Sequence, residues 1–132
     1  MFVRLGGVLL VLVPLGALAQ DPLQTDPDKY RLVFENDRVR VLEYRDKPGD
    51  KTNQHSHPDA VLYTLSAFKR RLTVDGRTRE RTAAPGQAGF TEGQIHVGEN
   101  VGDTDTHVLI VELKEPRRSK GAKAGGGPAV ER

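Results

Sequence analysis

The chain has 132 residues and no cysteine, which excludes both a disulfide framework and a lipid-acylated cysteine anchor. Its formal charge of +2 and pI of about 9.0 come from one end: residues 116–132 carry five basic side chains and one acidic, whereas residues 20–115 carry fourteen basic and seventeen acidic. The middle is therefore mildly acidic, long enough for one core but not two, and has to be held by packing alone.

In chain order, residues 1–19 (MFVRLGGVLLVLVPLGALA) read as a targeting segment. Arg4 supplies a positive start, Leu5 to Val13 a short apolar core, and Ala17-Leu18-Ala19 a small-x-small cleavage pattern. The apolar stretch from Leu5 to Ala19 spans 15 residues, short of the roughly 20 that a membrane-spanning helix needs. The expectation is a cleaved signal peptide, a mature chain starting near Gln20, a periplasmic or secreted protein, and no integral membrane anchor.

From there the hydrophobic period is two rather than 3.6. Tyr30 to Glu35 (YRLVFE) is a strand that stops at Asn36-Asp37. Arg38 to Arg45 (RVRVLEYR) is a second, with Val39 and Val41 on one face and Leu42 and Tyr44 on the other. That change of phase predicts either a bulge or a strand covered on both sides. Pro48-Gly49 marks a turn, and Asn53 to Ala60 (NQHSHPDA) brings two of the four histidines. Val61 to Leu65 and Arg71 to Val74 are further strands. Asp75-Gly76 is the strongest hairpin signal, with a polar return strand, Arg77 to Thr82, expected at an edge. Lys69-Arg70-Arg71 reads as a solvated strand end. After Pro85-Gly86 come short strands at Gly89 to Thr91 and Ile95 to Val97, then the most apolar strand, Thr106 to Lys114. Many short strands with regular turn signals predict an all-β antiparallel sandwich or barrel. Residues 116–132 lack apolar side chains larger than Val130, predicting a disordered basic tail. That tail has no aromatic residue to stack on bases, so no nucleic-acid partner is expected.

His55 and His57 are two residues apart, the spacing that puts both on one side of a strand. Two imidazoles so placed can converge on one ion, each nitrogen about 2.1 Å from it, or can simply pass through a surface loop. A second stretch bears on the choice. Pro85 to Asn100 (PGQAGFTEGQIHVGEN) carries a lone His96 between Gly93 and Gly98.

Together the two stretches resemble the paired motifs of the cupin superfamily, G-x5-H-x-H-x3,4-E-x6-G and G-x5-P-x-G-x2-H-x3-N. Gly49-x5-His55-x-His57 fits the front of the first, and Gly93-x2-His96-x3-Asn100 the back of the second. The resemblance covers roughly residues 31 to 114. It implies a small antiparallel double-sheet jelly-roll barrel as a single domain, placed at residues 28–115. It further implies that His55, His57 and His96 hold one divalent ion (Zn, Fe, Mn, Ni or Cu), with Asn100 forming a turn ahead of Gly102. The family's glutamate ligand falls at Val61 or Leu62, its closing glycine at Phe68 or Lys69, and its proline at Thr91, none of which matches. Sites of three histidines occur within the superfamily, in the thiol dioxygenases. Asp59 and Glu92 are the nearby carboxylates that could replace the glutamate, with water the favoured fourth ligand. His107 matches no motif position and is expected at the core edge or in solvent, and Tyr63 is expected to pack.

The function expected on this basis is an exported cupin-like protein that binds a divalent metal and a small molecule, with a metal-dependent enzyme of oxygenase or isomerase type within scope. The alternative is a metal-free small-ligand-binding or structural envelope protein on the same barrel. A homodimer is compatible with either.

Overall fold

The computed structural model describes residues 20–115. The expected signal peptide, 1–19, and basic tail, 116–132, lie outside the described residues. A short helix α1 (Pro22–Thr25) is followed by nine strands: β1 (Tyr30–Glu35), β2 (Val39–Asp46), β3 (His55–His57), β4 (Ala60–Thr64), β5 (Phe68–Val74), β6 (Arg77–Ala83), β7 (Ala88–Thr91), β8 (Gln94–Asn100) and β9 (Thr106–Leu113). They form two antiparallel sheets, ordered β1-β2-β9-β4-β7 and β3-β8-β5-β6. The all-β double-sheet barrel implied by the sequence is the fold observed.

Local chemistry explains several junctions. Asp75 and Gly76 both have positive φ, 48° and 72°, the twist that a two-residue loop needs to join β5 to β6. The polar return strand β6 ends the four-stranded sheet, as its composition predicted. α1 is capped by Asp21, whose side chain accepts from the Leu23 amide at 2.8 Å, with Pro22 opening the helix.

The change of phase in β2 has a double origin. The bulge is in its neighbour, where the β1 register slips between Leu32 and Phe34. β2 itself is apolar on both faces. Leu42 and Tyr44 point inward and are buried, while Val41 belongs to an outer row. In that row Phe34 pairs with Val41, Val41 with Val111, Val111 with Val61 and Val61 with Phe90, crossing all five strands. Exposure of Phe34 and Phe90 exceeds half.

Between the sheets lies a core of Tyr30, Leu42, Tyr44, Ala60, Phe68, Ala83, Val108 and Ile110. Buried polar groups flank it on two sides. On one, Asp46 accepts from Tyr44 Oη, from an Arg70 guanidinium nitrogen and from Asn100 Nδ2 (3.0 Å). Arg70 also lies 4.6 Å over the Tyr44 ring. The basic run Lys69-Arg70-Arg71 is thus no uniform solvated end: Arg70 is only 9% exposed. The inward position of a strand, and a carboxylate 24 residues earlier, turn the middle arginine inside. The other polar group holds the histidines.

Candidate metal centre

β3 is short, but it is pinned at several points. The Ser56 amide donates to the Gln20 carbonyl at 3.0 Å, and buried Asp26 accepts from the Asn53 amide at 3.0 Å and from Asn53 Nδ2. The N-terminal residues therefore brace the strand that carries His55 and His57. Antiparallel pairing of β3 with β8 sets His55 directly opposite His96, so all three rings share one face. One ring nitrogen from each lies within 4.8 Å of the others. Donors held about 2.1 Å from a tetrahedral ion would sit about 3.4 Å apart, a spacing of the same order.

The surroundings decide which nitrogen each ring offers. His55 Nδ1 is 2.8 Å from the Asn53 carbonyl, which can only accept, so Nδ1 carries the proton. His55 Nε2 is then an acceptor and receives the Tyr30 hydroxyl at 3.0 Å. His57 Nδ1 lies 2.6 Å from Glu112 Oε1 and donates to it, freeing Nε2. Burial pushes the Glu112 carboxyl up, but the hydrogen bonds from His57 and Arg40 outweigh it, and its pKa ends below the ordinary value. Arg40 Nε meets Glu112 Oε2 at 2.6 Å and continues to Asp21.

His96 completes the group. Its Nδ1 is enclosed and is the one buried side-chain polar atom without a hydrogen-bond partner among the described residues. Burial, and then the neighbouring His55 and His57, hold its pKa down at about 3. Burial likewise lowers that of His55. Three clustered imidazoles, two of them with lowered pKa and one with an unpartnered nitrogen, form a donor set that suits a divalent transition metal.

The other candidates are placed as follows. Asp59 Oδ1 accepts the Gly93 amide at 2.7 Å and braces the loop between β7 and β8. Glu92 is exposed. Asn100 Oδ1 accepts the Gly102 amide at 3.0 Å, the expected turn, while its amide reaches Asp46 inside. His107 stands on the outer face, 2.8 Å from Glu43 Oε1. Tyr63 is 44% exposed, and Tyr30 is the tyrosine that faces the site. Sequence reasoning missed Tyr30, Arg40 and Glu112. The one available signal was Glu112, a lone acid on an inward position of the most apolar strand.

Beside the histidines a cavity of about 170 Å³ runs into the barrel, lined by His57, His96, Tyr30, Phe68, Leu72 and Ile110 among others. Burial raises the pKa of the Tyr30 phenol, which stays protonated as the donor to His55.

The sequence matches no family model and no curated relative. Solved structures do match. A cupin domain from Bordetella pertussis Tohama I is 26% identical, with 65% of this chain and 92% of that one aligned at a TM-score of 0.61. An RmlC-like cupin with a double-stranded β-helix fold from Methanocaldococcus jannaschii is 11% identical, over 67% and 82% of the chains, at 0.54. A conserved protein with a double-stranded β-helix domain from Klebsiella pneumoniae is 18% identical, over 69% and 75%, at 0.52. The last two show the shared fold, and the fold with the likeness to the Bordetella cupin domain places the chain in the cupin superfamily. No helix among the described residues is long and apolar enough to cross a membrane.

Proposed function

We propose that this is an exported single-domain cupin whose His55, His57 and His96 hold one divalent metal ion, with the adjoining cavity taking a small molecule. The observation that carries the reading is the convergence of three imidazole nitrogens within 4.8 Å, two of the rings oriented by acceptors behind them. A bound ion would supply Lewis acidity, or oxygen chemistry if it is redox-active, and the reading extends to a reaction of oxygenase or isomerase type. The chain's own contribution is orientation. Glu112 orients His57, the Asn53 carbonyl orients His55, and apolar side chains form much of the cavity wall. Elemental analysis of purified native protein beside the His55→Ala/His57→Ala variant tests it. One equivalent of metal in the native protein and none in the variant is expected. Stoichiometric metal in both overturns it. N-terminal mass analysis of the envelope fraction tests export, with Gln20 expected as the first residue.

A second reading, a metal-free ligand-binding module, is favoured by one contact. The Tyr30 hydroxyl already satisfies His55 Nε2 at 3.0 Å. A homodimer would cover the outer apolar row, and sedimentation of the purified protein checks it.

A further inference from the structure

The cavity beside the histidines is charged in a way that the domain as a whole is not. Residues 20–115 carry more acid than base. Yet no carboxylate lines the cavity, while two guanidinium groups, Arg70 and Arg81, do. These two arginines are direct partners across the β5–β6 hairpin. Like charges facing each other in a sheet are destabilising. The charge on Arg70 is met by Asp46. The Arg81 side chain has no ion pair or hydrogen bond among the described residues and stands at the cavity mouth.

Topology explains why Arg81 reaches the mouth. β6 and β7 are the terminal strands of the two sheets, so the opening lies along the seam between them. Gly89 occupies an inward position on β7, opposite Leu62. A β-carbon at Gly89 would sit 3.4 Å from Arg81 Nη2. The guanidinium thus spans the seam and rests on the bare backbone of the opposite edge. Behind it the lining is apolar, through Leu62, Phe68, Leu72, Val108 and Ile110.

We propose that the cavity binds a small organic carboxylate, with the charged end held by Arg81 and the apolar body lying between Leu62, Phe68, Leu72 and Ile110. The inference deepens the reading of this cavity as a ligand site and rests on it. A carboxylate matches the planar fork of an arginine in a bidentate pair and would neutralise the Arg81 charge, which lacks an ion-pair partner, whereas that of Arg70 is met by Asp46. Size sets the body. An apolar cavity of about 150 Å³ accommodates benzene, and this one measures about 170 Å³, so an aromatic or short branched acid fits.

Calorimetric titration of the full-length, chelator-stripped protein with benzoate, and with uncharged benzamide of the same shape, tests the inference without any metal. Native protein is expected to bind benzoate saturably and benzamide about tenfold or more weakly. Arg81→Gln should reduce benzoate to the benzamide level. Arg77→Gln, which removes the same charge from β6 outside the cavity, should change nothing. Gly89→Leu, which fills the seat of the guanidinium, should weaken benzoate as Arg81→Gln does. Equal affinity for benzoate and benzamide, an unaltered Arg81→Gln titration, or no benzoate binding by native protein overturns the inference. Benzoate discrimination in a protein that takes up no metal would leave this inference standing and remove the metal centre. Metal uptake without discrimination would do the reverse.

Discussion

His57 donates from Nδ1 to Glu112 Oε1 at 2.6 Å, joining residues 55 apart in sequence. This contact holds the ring so that Nε2 faces His55 and His96, and Arg40 holds the carboxylate from behind at 2.6 Å. Glu112→Gln keeps the shape but loses the charge. Metal affinity in a competition titration against a chromophoric chelator should fall about ten- to a hundredfold, the usual effect of removing a carboxylate behind a ligating histidine. An unchanged affinity would show that Glu112 serves the fold alone. Glu112→Ala should also lower stability, by about 1–3 kcal/mol, because Arg40 keeps only Asp21 and the His57 Nδ1 donor loses its buried acceptor.

Tyr30 separates the metal reading from its rival. Its hydroxyl occupies His55 Nε2, the nitrogen that a metal would need. Tyr30→Phe should cost the metal-free protein about 1 kcal/mol of stability in urea melts, and should leave metal affinity equal or higher. A Phe variant with sharply weaker metal binding would mean that the phenol takes part in holding the ion.

Stability of the metal-free protein should fall as pH drops below about 6.5. Burial depresses His55, and His96 is held near about 3. Below the ordinary imidazole value the unfolded chain binds protons that the folded one refuses, so acid favours unfolding from about pH 6.5 down towards 3. Urea melts between pH 8 and pH 5 should show this slope, and His96→Gln should flatten it. A flat native profile would contradict the burial argument.

Gly98→Ala should destabilise the barrel. The added β-carbon would overlap Arg70 Nη2. Arg70 is buried and tied to Asp46 and Thr106, so it has little room to retreat. A loss of about 1–3 kcal/mol is expected from this overpacking, read as a fall of several degrees in Tm. Gly49→Ala is a poor control because its φ is 87°, and so is Gly102→Ala, which meets Lys69 backbone at 3.0 Å. The informative comparison is Gly98→Ala with and without Arg70→Met, where relief in the double variant identifies the clash.

The sequence by itself determined the strands, the turns and the two histidine stretches. These are local properties: alternation along YRLVFE, positive φ at Asp75-Gly76, and the two-residue period that sets His55 and His57 on one side. Its resemblance to cupin motifs then brought in His96, forty residues away. Tertiary structure decided what lies behind those rings. Glu112, Arg40 and Tyr30 come from strands distant in sequence, and only the β1–β2, β2–β9 and β3–β8 registers set them facing inward beside the histidines. Arg70 makes the same point. Its neighbours in sequence are basic and partly exposed, and nothing local marks it as buried. It is inside because its strand turns that position inward, where Asp46, Thr106 and the Tyr44 ring compensate a charge that would otherwise remain in water.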